Sequence, residues 1–314
     1  MTTRRTLQAP DAVVMVRPAR FRPNAETAAD NAFQRLAAAD PDAVARAAWQ
    51  EVGDAAAALQ AAGVRVHLFE DDGTRDTPDS VFPNNWFTTH PGGHVAIHPM
   101  CSPSRRRERR ADVVELLKRE YRVQDVVDHS GLEPDGLFLE GTGAMVFDHF
   151  ERVAYTARSH RAHPVALERF CSQFHYEPVV FDTADAQGRP IYHTNVLMCV
   201  ATGFALVALD AFTLPERAAE VRQRLEASGR TVLPLSHAQV AEFAGNAIEL
   251  SGRDGLLLAC SRRGWNSLDP AQRALIEQHA RPLPLEVPTI ELAGGSVRCM
   301  IAGVHLSRRG ALGD

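Results

Sequence analysis

The chain has 314 residues, of which 45% are hydrophobic and 23% charged, as is ordinary for a soluble globular protein. The formal net charge of -5 gives no reason to expect a nucleic-acid partner, and no apolar run is long enough to span a bilayer. The five cysteines are scattered, odd in number and never in a CxxC pair, which argues for free thiols in a reducing cytoplasm and against a zinc site. They are Cys101, Cys171, Cys199, Cys260 and Cys299.

The first third of the chain has the hydrophobic patterns of alternating strands and helices. Strands are predicted at residues 13–18 and 64–69, with helices at 26–39 and 42–62. Residues 80–90 and 94–98 predict a hairpin around a Pro-Gly-Gly turn, followed by a helix at 104–120.

The same order then recurs along the rest of the chain. A strand pair is expected at 137–146, followed by strand 153–156, helix 164–174 and strand 178–181. The next unit has strands at 191–200, 205–209 and 231–235 with a helix at 215–228. Another has strands at 244–250, 256–260 and 283–287 with a helix at 270–280, and Cys299 opens the last.

Polar residues recur at one position of this unit, the predicted start of its first strand. Glu140 lies 56 residues after Asn84, His193 lies 53 after Glu140, Gly245 lies 52 after His193, and Cys299 lies 54 after Gly245. A period of this kind indicates a repeat architecture. In a closed ring of five α/β units, equivalent positions point at a common axis. We therefore predict one domain over residues 1–314, with these side chains at its centre.

Chemistry can be assigned to these positions, although each residue alone has an ordinary structural explanation. Cys299 follows Gly294-Gly295, which lets a substrate approach closely, but a lone cysteine in a strand is more often a small buried hydrophobe. His193 on its own is more often a hydrogen-bonded core residue. Glu140 among apolar residues and glycines needs a partner. The shared repeat phase favours a functional role for all three.

These motifs together resemble the pentein superfamily of guanidine-modifying enzymes, a five-bladed α/β propeller fold of ββαβ-type units. The closest resemblance is to the amidinotransferase-like branch that includes bacterial citrulline-utilisation hydrolases. The motifs are Phe82-Pro83-Asn84-Asn85-Trp86, Leu139-Glu140-Gly141-Thr142-Gly143, His193-Thr194-Asn195 and Cys299.

The resemblance implies a role for each matching residue. Cys299 becomes the nucleophile, His193 the general acid and base, and Glu140 a partner of the substrate nitrogens or of His193. A carboxylate beside the histidine is expected to raise the pKa of that histidine. The expected substrate-binding residues are Asn84 or Asn85, Asn195, Arg158 for the substrate carboxylate and, as a weaker candidate, Arg17.

The substrate prediction rests on positions where this sequence differs from the pattern usual in the family. Arginine and agmatine deiminases usually have aspartates where this chain has Asn84-Asn85 and Asn195, and amides suit a neutral ureido group better than a guanidinium. We therefore expect hydrolysis of L-citrulline to L-ornithine, CO2 and NH3, with no cofactor and no metal. The alternatives are an arginine or dimethylarginine deiminase, an amidinotransferase, or a non-catalytic pentein-like binding protein. A carboxylate from elsewhere, such as Asp79, could supply the missing charge, and homodimer formation is left open.

Two other patterns are predicted to be incidental. His90, His94 and His98 are separated by the Pro-Gly-Gly turn and are expected to be scattered surface residues without a metal. The basic run at 105–110 is expected to be a solvated helix face, because it is short and interrupted by Glu108.

Overall fold

The computed structural model describes residues 7–28, 31–35 and 40–310. Within these residues the fold is mixed α/β, with short strands and helices alternating along the chain. The strands are β1 (Ala12–Arg17), β2 (Arg65–Glu70), β3 (Phe87–His90), β4 (His94–Ile97), β5 (Asp125–Asp128), β6 (Met145–Asp148), β7 (Val153–Ala157), β8 (Glu177–Phe181), β9 (Met198–Val200), β10 (Phe204–Val207), β11 (Thr231–Pro234), β12 (Ile248–Gly252), β13 (Gly255–Ser261), β14 (Arg281–Leu285) and β15 (Ala302–Gly303).

The helices are α1 (Pro41–Ala61), α2 (Pro103–Arg106), α3 (Ala111–Glu120), α4 (Gly141–Ala144), α5 (Pro164–Phe174), α6 (Pro215–Ala227), α7 (His237–Ala241), α8 (Arg262–Ser267), α9 (Pro270–His279) and α10 (Val297–Met300). Short 3-10 turns lie at Pro83–Asn85, Ser130–Asp135, Thr194–Val196, Leu209–Ala211 and Ile290–Ala293. No helix in the described ranges has both the length and the apolar composition needed to cross a membrane.

The strands form five three-stranded sheets of one design. Each central strand pairs antiparallel on one side and parallel on the other, and none of the sheets closes on itself. The sheet orders are β15-β1-β2, β3-β4-β5, β6-β7-β8, β9-β10-β11 and β12-β13-β14. In the first sheet β15, from the end of the chain, pairs antiparallel with β1 near its beginning, with Val13 opposite Gly303. The repeat predicted from the sequence is thus confirmed as five recurring sheets.

A helix connects the two parallel strands of each sheet, because parallel neighbours need a crossover that reverses the chain twice. Helix α5 illustrates the local sequence signals. It begins with Pro164 after the capping side chain of His163, and it ends at His175 in the left-handed conformation. Its apolar residues recur every three or four positions and face the sheet. They are Ala166, Leu167, Phe170, Cys171 and Phe174.

One predicted helix is wrong, and another is divided. Residues 26–28 and 31–35 form turns and no helix, while 29–30 and 36–39 lie outside the described residues. The polar side chains here bond to distant groups: Asn24 Nδ2 donates to Asp79 Oδ2 at 2.8 Å, and Asn31 Nδ2 to the Ala293 carbonyl at 2.9 Å. These tertiary contacts outweigh the helix propensity of this alanine-rich segment. The helix predicted at 104–120 is split into α2 and α3.

A buried ion pair joins the third sheet to the fourth and gives a stability prediction. Asp148 ends β6, and its carboxylate accepts from Arg230, just before β11, at 2.5 and 3.0 Å, with 1% of each side chain exposed. Asp148→Asn leaves the buried guanidinium without its counter-charge. We expect the free energy of unfolding in urea to fall by about 3–5 kcal/mol.

The matched control is Asp182→Asn, which removes the carboxylate that pairs with Arg158 where both side chains are about half exposed. This change should alter the free energy of unfolding by no more than about 0.5 kcal/mol. Equal losses in the two variants would contradict the role assigned to the buried pair.

Candidate active site

The predicted site residues lie in short helical turns just before the first strand of a sheet. Asn84 and Asn85 lie in a 3-10 turn before β3, Glu140 precedes α4, and His193 precedes the turn Thr194–Val196. Cys299 lies within α10, before β15. The sequence predicted strands at these places. In a strand successive side chains alternate between two faces, whereas in a helical turn side chains three or four positions apart share a face.

The structure brings Cys299, His193 and Glu140 together. His193 Nε2 lies 2.8 Å from Glu140 Oε2, and less than a twentieth of either side chain is exposed. Cys299 and His193 line the same small cavity, together with Asn85. We call this the front cavity. Residues separated by more than 150 positions in the sequence therefore share one site.

Two glycines of the Glu-Gly-Thr-Gly motif make this approach possible. Gly141 has a φ of +42°, and a Cβ there would lie 2.4 Å from the Asn84 carbonyl oxygen. A Cβ on Gly143 would lie 2.4 Å from the side-chain amide of Asn85 and 2.8 Å from the His193 ring. Any side chain at Gly143 would displace the imidazole. Both positions need glycine for close approach, and Gly141 also needs it for its left-handed conformation.

The Cys299 thiol is held by two buried amides. Asn195 Nδ2 lies 3.4 Å and Asn246 Nδ2 3.3 Å from Sγ. Asn246 also donates to the Asn195 carbonyl at 3.0 Å and accepts from the Arg298 backbone at 3.0 Å. Two N–H donors directed at sulfur favour its thiolate over its thiol.

Two buried arginines and Asp79 complete the charges of the front cavity. Arg161 Nη1 lies 3.5 Å and Arg105 Nη1 3.9 Å from Glu140 Oε2. Arg105 also binds Glu108 in a two-pronged pair at 3.0 and 3.0 Å, and it lies 3.9 Å from Asp79. Such pairing offsets the cost of burying the guanidinium groups.

The pKa values of the histidine–carboxylate pair reflect this environment. Burial opposes ionisation of Glu140, but Arg161 and the His193 hydrogen bond, followed by Arg105, hold the pKa of Glu140 below its usual range. Burial lowers the pKa of His193 to about 4, although Glu140 acts in the opposite direction. The expectation of a raised histidine pKa is therefore wrong, and His193 is neutral near pH 7. Burial also raises the pKa of Glu108 to about 8.

The other predicted substrate-binding residues are divided between the site and the surface. Asn84 Nδ2 lies 3.2 Å from Thr142 Oγ1, and the Asn85 amide oxygen accepts from Arg105 Nη1 at 2.7 Å. Arg158 does not line the cavity; it is about half exposed and pairs with Asp182 at 3.2 Å. Arg17 pairs with Glu70 at 3.0 Å and lies over the Trp49 ring, also away from the cavity.

Three site residues were not predicted. Asn246 follows Gly245, which falls in the repeat phase, so this phase was the signal that could have identified it. Arg161 lies three positions after Arg158 and stacks on Tyr192 at 4.6 Å, yet no pattern distinguishes the two arginines. Arg105 belongs to the basic run predicted to be a solvated face, and its side chain is only 3% exposed.

The prediction of scattered surface histidines is also wrong for two of the three. His90 and His98 are buried, and Thr88 Oγ1 lies 2.8 Å from a ring nitrogen of each. His94 is partly exposed and pairs with Asp125. No group of three potential metal ligands occurs in the part of the chain that the structure describes.

Fold and site together define an α/β protein whose buried cysteine faces a histidine–carboxylate pair. Residues 17–306 match the family model described as N,N dimethylarginine dimethylhydrolase, eukaryotic. The chain belongs to this family, whose members hydrolyse non-peptide C–N bonds, and with it to the pentein superfamily of guanidine-modifying enzymes. No curated protein matches the chain.

Solved structures show the same fold at low sequence identity. Apo ArgZ, an arginine dihydrolase from the ornithine-ammonia cycle in cyanobacteria, aligns with a TM-score of 0.71 and 16% identity over 93% of this chain. This chain spans 40% of full-length ArgZ and 97% of its N-terminal domain, whose substrate-bound structure aligns with a TM-score of 0.70. A citrulline complex of a mutant DDAH from Pseudomonas aeruginosa aligns at 0.64, with 14% identity over 93% of this chain and 98% of that one.

The lowered pKa of His193 gives a titration prediction. An imidazole NMR titration of the free protein, assigned with His193→Asn, should show a midpoint near 4. Because the folded pKa lies below the unfolded value of 6.5, the unfolded chain binds more protons between these values. The stability that neutral His193 contributes is therefore complete above about pH 6.5 and is lost as the pH falls towards 4. A midpoint above 6.5 would show that Glu140 outweighs burial.

Proposed function

We propose that the chain is a cysteine hydrolase that converts L-citrulline to L-ornithine, CO2 and ammonia through a covalent intermediate on Cys299. The observation that carries this proposal is the Cys299 thiol, which accepts from two amides and lines one cavity with the neutral, carboxylate-bound His193. A ureido carbon is a poor electrophile because resonance feeds electrons into it. Covalent catalysis divides its hydrolysis into two lower barriers.

In the first half of the reaction, Cys299 forms a bond to the ureido carbon. His193 takes the thiol proton and passes it to the departing nitrogen, which leaves as ammonia. A thiocarbamate then joins Sγ to the remainder of the substrate. Glu140 stabilises the transient imidazolium, since its carboxylate already contacts His193 Nε2.

In the second half, water attacks the thiocarbamate carbon. His193 now takes the water proton and returns it to the departing sulfur, which restores the thiol. The product is the carbamate of ornithine, which decomposes to ornithine and CO2. One histidine thus serves both halves, and its neutral resting state suits the initial proton transfer.

The charges of the front cavity favour a neutral head group. Glu140 is bound to His193 and flanked by Arg161 and Arg105, so it is poorly placed to oppose a further cation. The groups at the thiol, Asn195 and Asn246, are amides, which can bind a ureido oxygen or nitrogen without a counter-charge. This supports citrulline or a close ureido amino acid.

A second candidate is arginine or a methylated arginine, and the observation that favours it is Asp79. Its buried carboxylate lines the front cavity and accepts from Asn24 at 2.8 Å. A carboxylate in the cavity can oppose a guanidinium. Arg105 lies 3.9 Å from Asp79 and takes part of this charge, so we place the ureido substrate first.

The substrate carboxylate needs an anchor other than Arg158. We assign that role to Arg161 and Arg105, which line the front cavity. A guanidinium presents its N–H donors in a planar fork, which matches the geometry of a carboxylate. An amino-acid zwitterion would then lie with its carboxylate towards the arginines and its ureido carbon towards Cys299.

The proposal also covers the arrangement of the five sheets and the cellular location of the protein. We place the five sheets around a common axis, as a five-bladed propeller forming a single domain. Support comes from their shared strand order, the β15–β1 pairing and the convergence of the repeat positions. The five cysteines are free thiols, which supports a reducing cytoplasm.

The substrate prediction is tested with purified protein and separate incubations with citrulline, arginine, agmatine and dimethylarginine. We measure ammonia and the amino-acid product in each. We expect the highest kcat/KM for citrulline, with ornithine as product, because arginines already oppose the carboxylates of Glu140 and Asp79. Faster ammonia release from arginine would reverse the order of the two candidates.

The control variant is Asp79→Asn, which removes the carboxylate on which the arginine candidate depends. If Asp79 opposes a guanidinium, the ratio of kcat/KM for arginine to that for citrulline should fall by about tenfold or more, equivalent to about 1.4 kcal/mol. An unchanged ratio would exclude Asp79 from head-group selection.

A further inference from the structure

Arg298 and Cys299 are neighbours in helix α10, yet they line different cavities. Successive helical residues are rotated by about 100°, so adjacent side chains can face opposite sides of the helix. Cys299 lines the front cavity, while Arg298 lines a second cavity. We call the second one the rear cavity. Its other titratable lining residues are His149, Cys199, Glu249 and His305.

The charge of Arg298 is not neutralised by an ion pair with any carboxylate of the described residues. Its Nη1 donates to the Ile301 carbonyl at 2.8 Å. Glu249, the carboxylate of the rear cavity, accepts from Thr202 at 2.8 and 2.5 Å. Burial lowers the pKa of Arg298, and the nearby thiols of Cys199 and Cys299 act in the opposite direction. As the sequence neighbour of Cys299, Arg298 brings a buried positive charge close to the sulfur, and a nearby cation stabilises a thiolate.

The other ionisable groups near the Cys299 thiol are less suited to stabilising its thiolate. His193 is neutral near pH 7, because burial lowers its pKa to about 4. Arg105 and Arg161 face the front cavity, where Glu140, Glu108 and Asp79 oppose their charges. In the rear cavity, burial and neighbouring cations keep His149 and His305 neutral, since their pKa values are also lowered.

Asn246 forms hydrogen bonds to both Arg298 and Cys299. Its Oδ1 accepts from the Arg298 backbone N–H at 3.0 Å, and its Nδ2 donates to Cys299 Sγ at 3.3 Å. The amide therefore fixes the turn of α10 that directs the guanidinium to one side and the thiol to the other. A cation held at a fixed position in a buried environment acts more strongly than one in water.

We propose that Arg298 is a positioning residue that stabilises the Cys299 thiolate from the side of α10 opposite the substrate. The proposal rests on Cys299 being the nucleophile of the proposed function. It assigns Arg298 no contact with substrate. Its effect is to increase the fraction of the protein that carries the reactive thiolate before substrate binds.

The test measures the alkylation rate of Cys299 by iodoacetamide between pH 6 and 10 without substrate, with mass spectrometry to locate the label. Arg298→Met should reduce the alkylation rate of Cys299 at neutral pH by about tenfold, because a smaller fraction of the protein carries the reactive thiolate. Arg298→Lys keeps the charge and should restore most of the wild-type profile. An unchanged alkylation profile in folded Arg298→Met would overturn the proposal.

Two further variants separate this effect from loss of structure. Arg298→Gln keeps a donor for the Ile301 carbonyl, and it should shift the profile as Arg298→Met does if the methionine variant fails to fold. Arg158→Met removes an exposed arginine outside both cavities and should leave the profile unchanged. Because no substrate is present, the result does not depend on whether citrulline is hydrolysed.

Discussion

The Glu140 carboxylate has no exposed surface, and each of its oxygens has a partner from a different part of the chain. Oε2 contacts His193 Nε2 at 2.8 Å and lies near Arg161 and Arg105, while Oε1 accepts from the Cys101 backbone at 3.1 Å. A buried carboxylate is tolerated only with such compensation. The third and fourth sheets, and the segment around α2, are therefore tied to one another through this group.

This compensation also sets the chemical character of the site. The arginines keep Glu140 ionised, and the burial that requires them keeps His193 neutral. A neutral histidine can accept the thiol proton, and an ionised carboxylate beside it can stabilise the imidazolium that results. Glycine at 143 is required for the same geometry, because a side chain there would collide with the His193 ring.

The repeat phase predicted which positions converge, because the regular spacing can be read from the sequence even where the turns are irregular. It identified Glu140, His193 and Cys299, and it passed within one residue of Asn246. It did not predict that these positions lie in helical turns, since short apolar runs are ambiguous between strand and helix. The five units of strand, helix and strand were predictable for the same reason.

Burial of arginines could not be predicted from the sequence. Arg158 and Arg161 have similar local sequence, and only the packing of Arg161 on Tyr192 and against Glu140 shows which of them enters the site. Arg105 looks like part of a solvated basic run, but Asp79 and Glu108 surround it in the folded chain. The segment after β1 has helix-like composition, yet Asn24 and Asn31 bond to distant parts of the chain.

The most direct test of the account is to detect the covalent intermediate on Cys299. The protein is mixed with citrulline labelled at the ureido carbon, quenched with acid within milliseconds to seconds, digested and mapped by mass spectrometry. The account predicts that the Cys299 peptide gains the mass of labelled citrulline less ammonia, and that Cys299→Ser shows neither adduct nor turnover. Label on another residue, or turnover by Cys299→Ser at the wild-type rate, would contradict it.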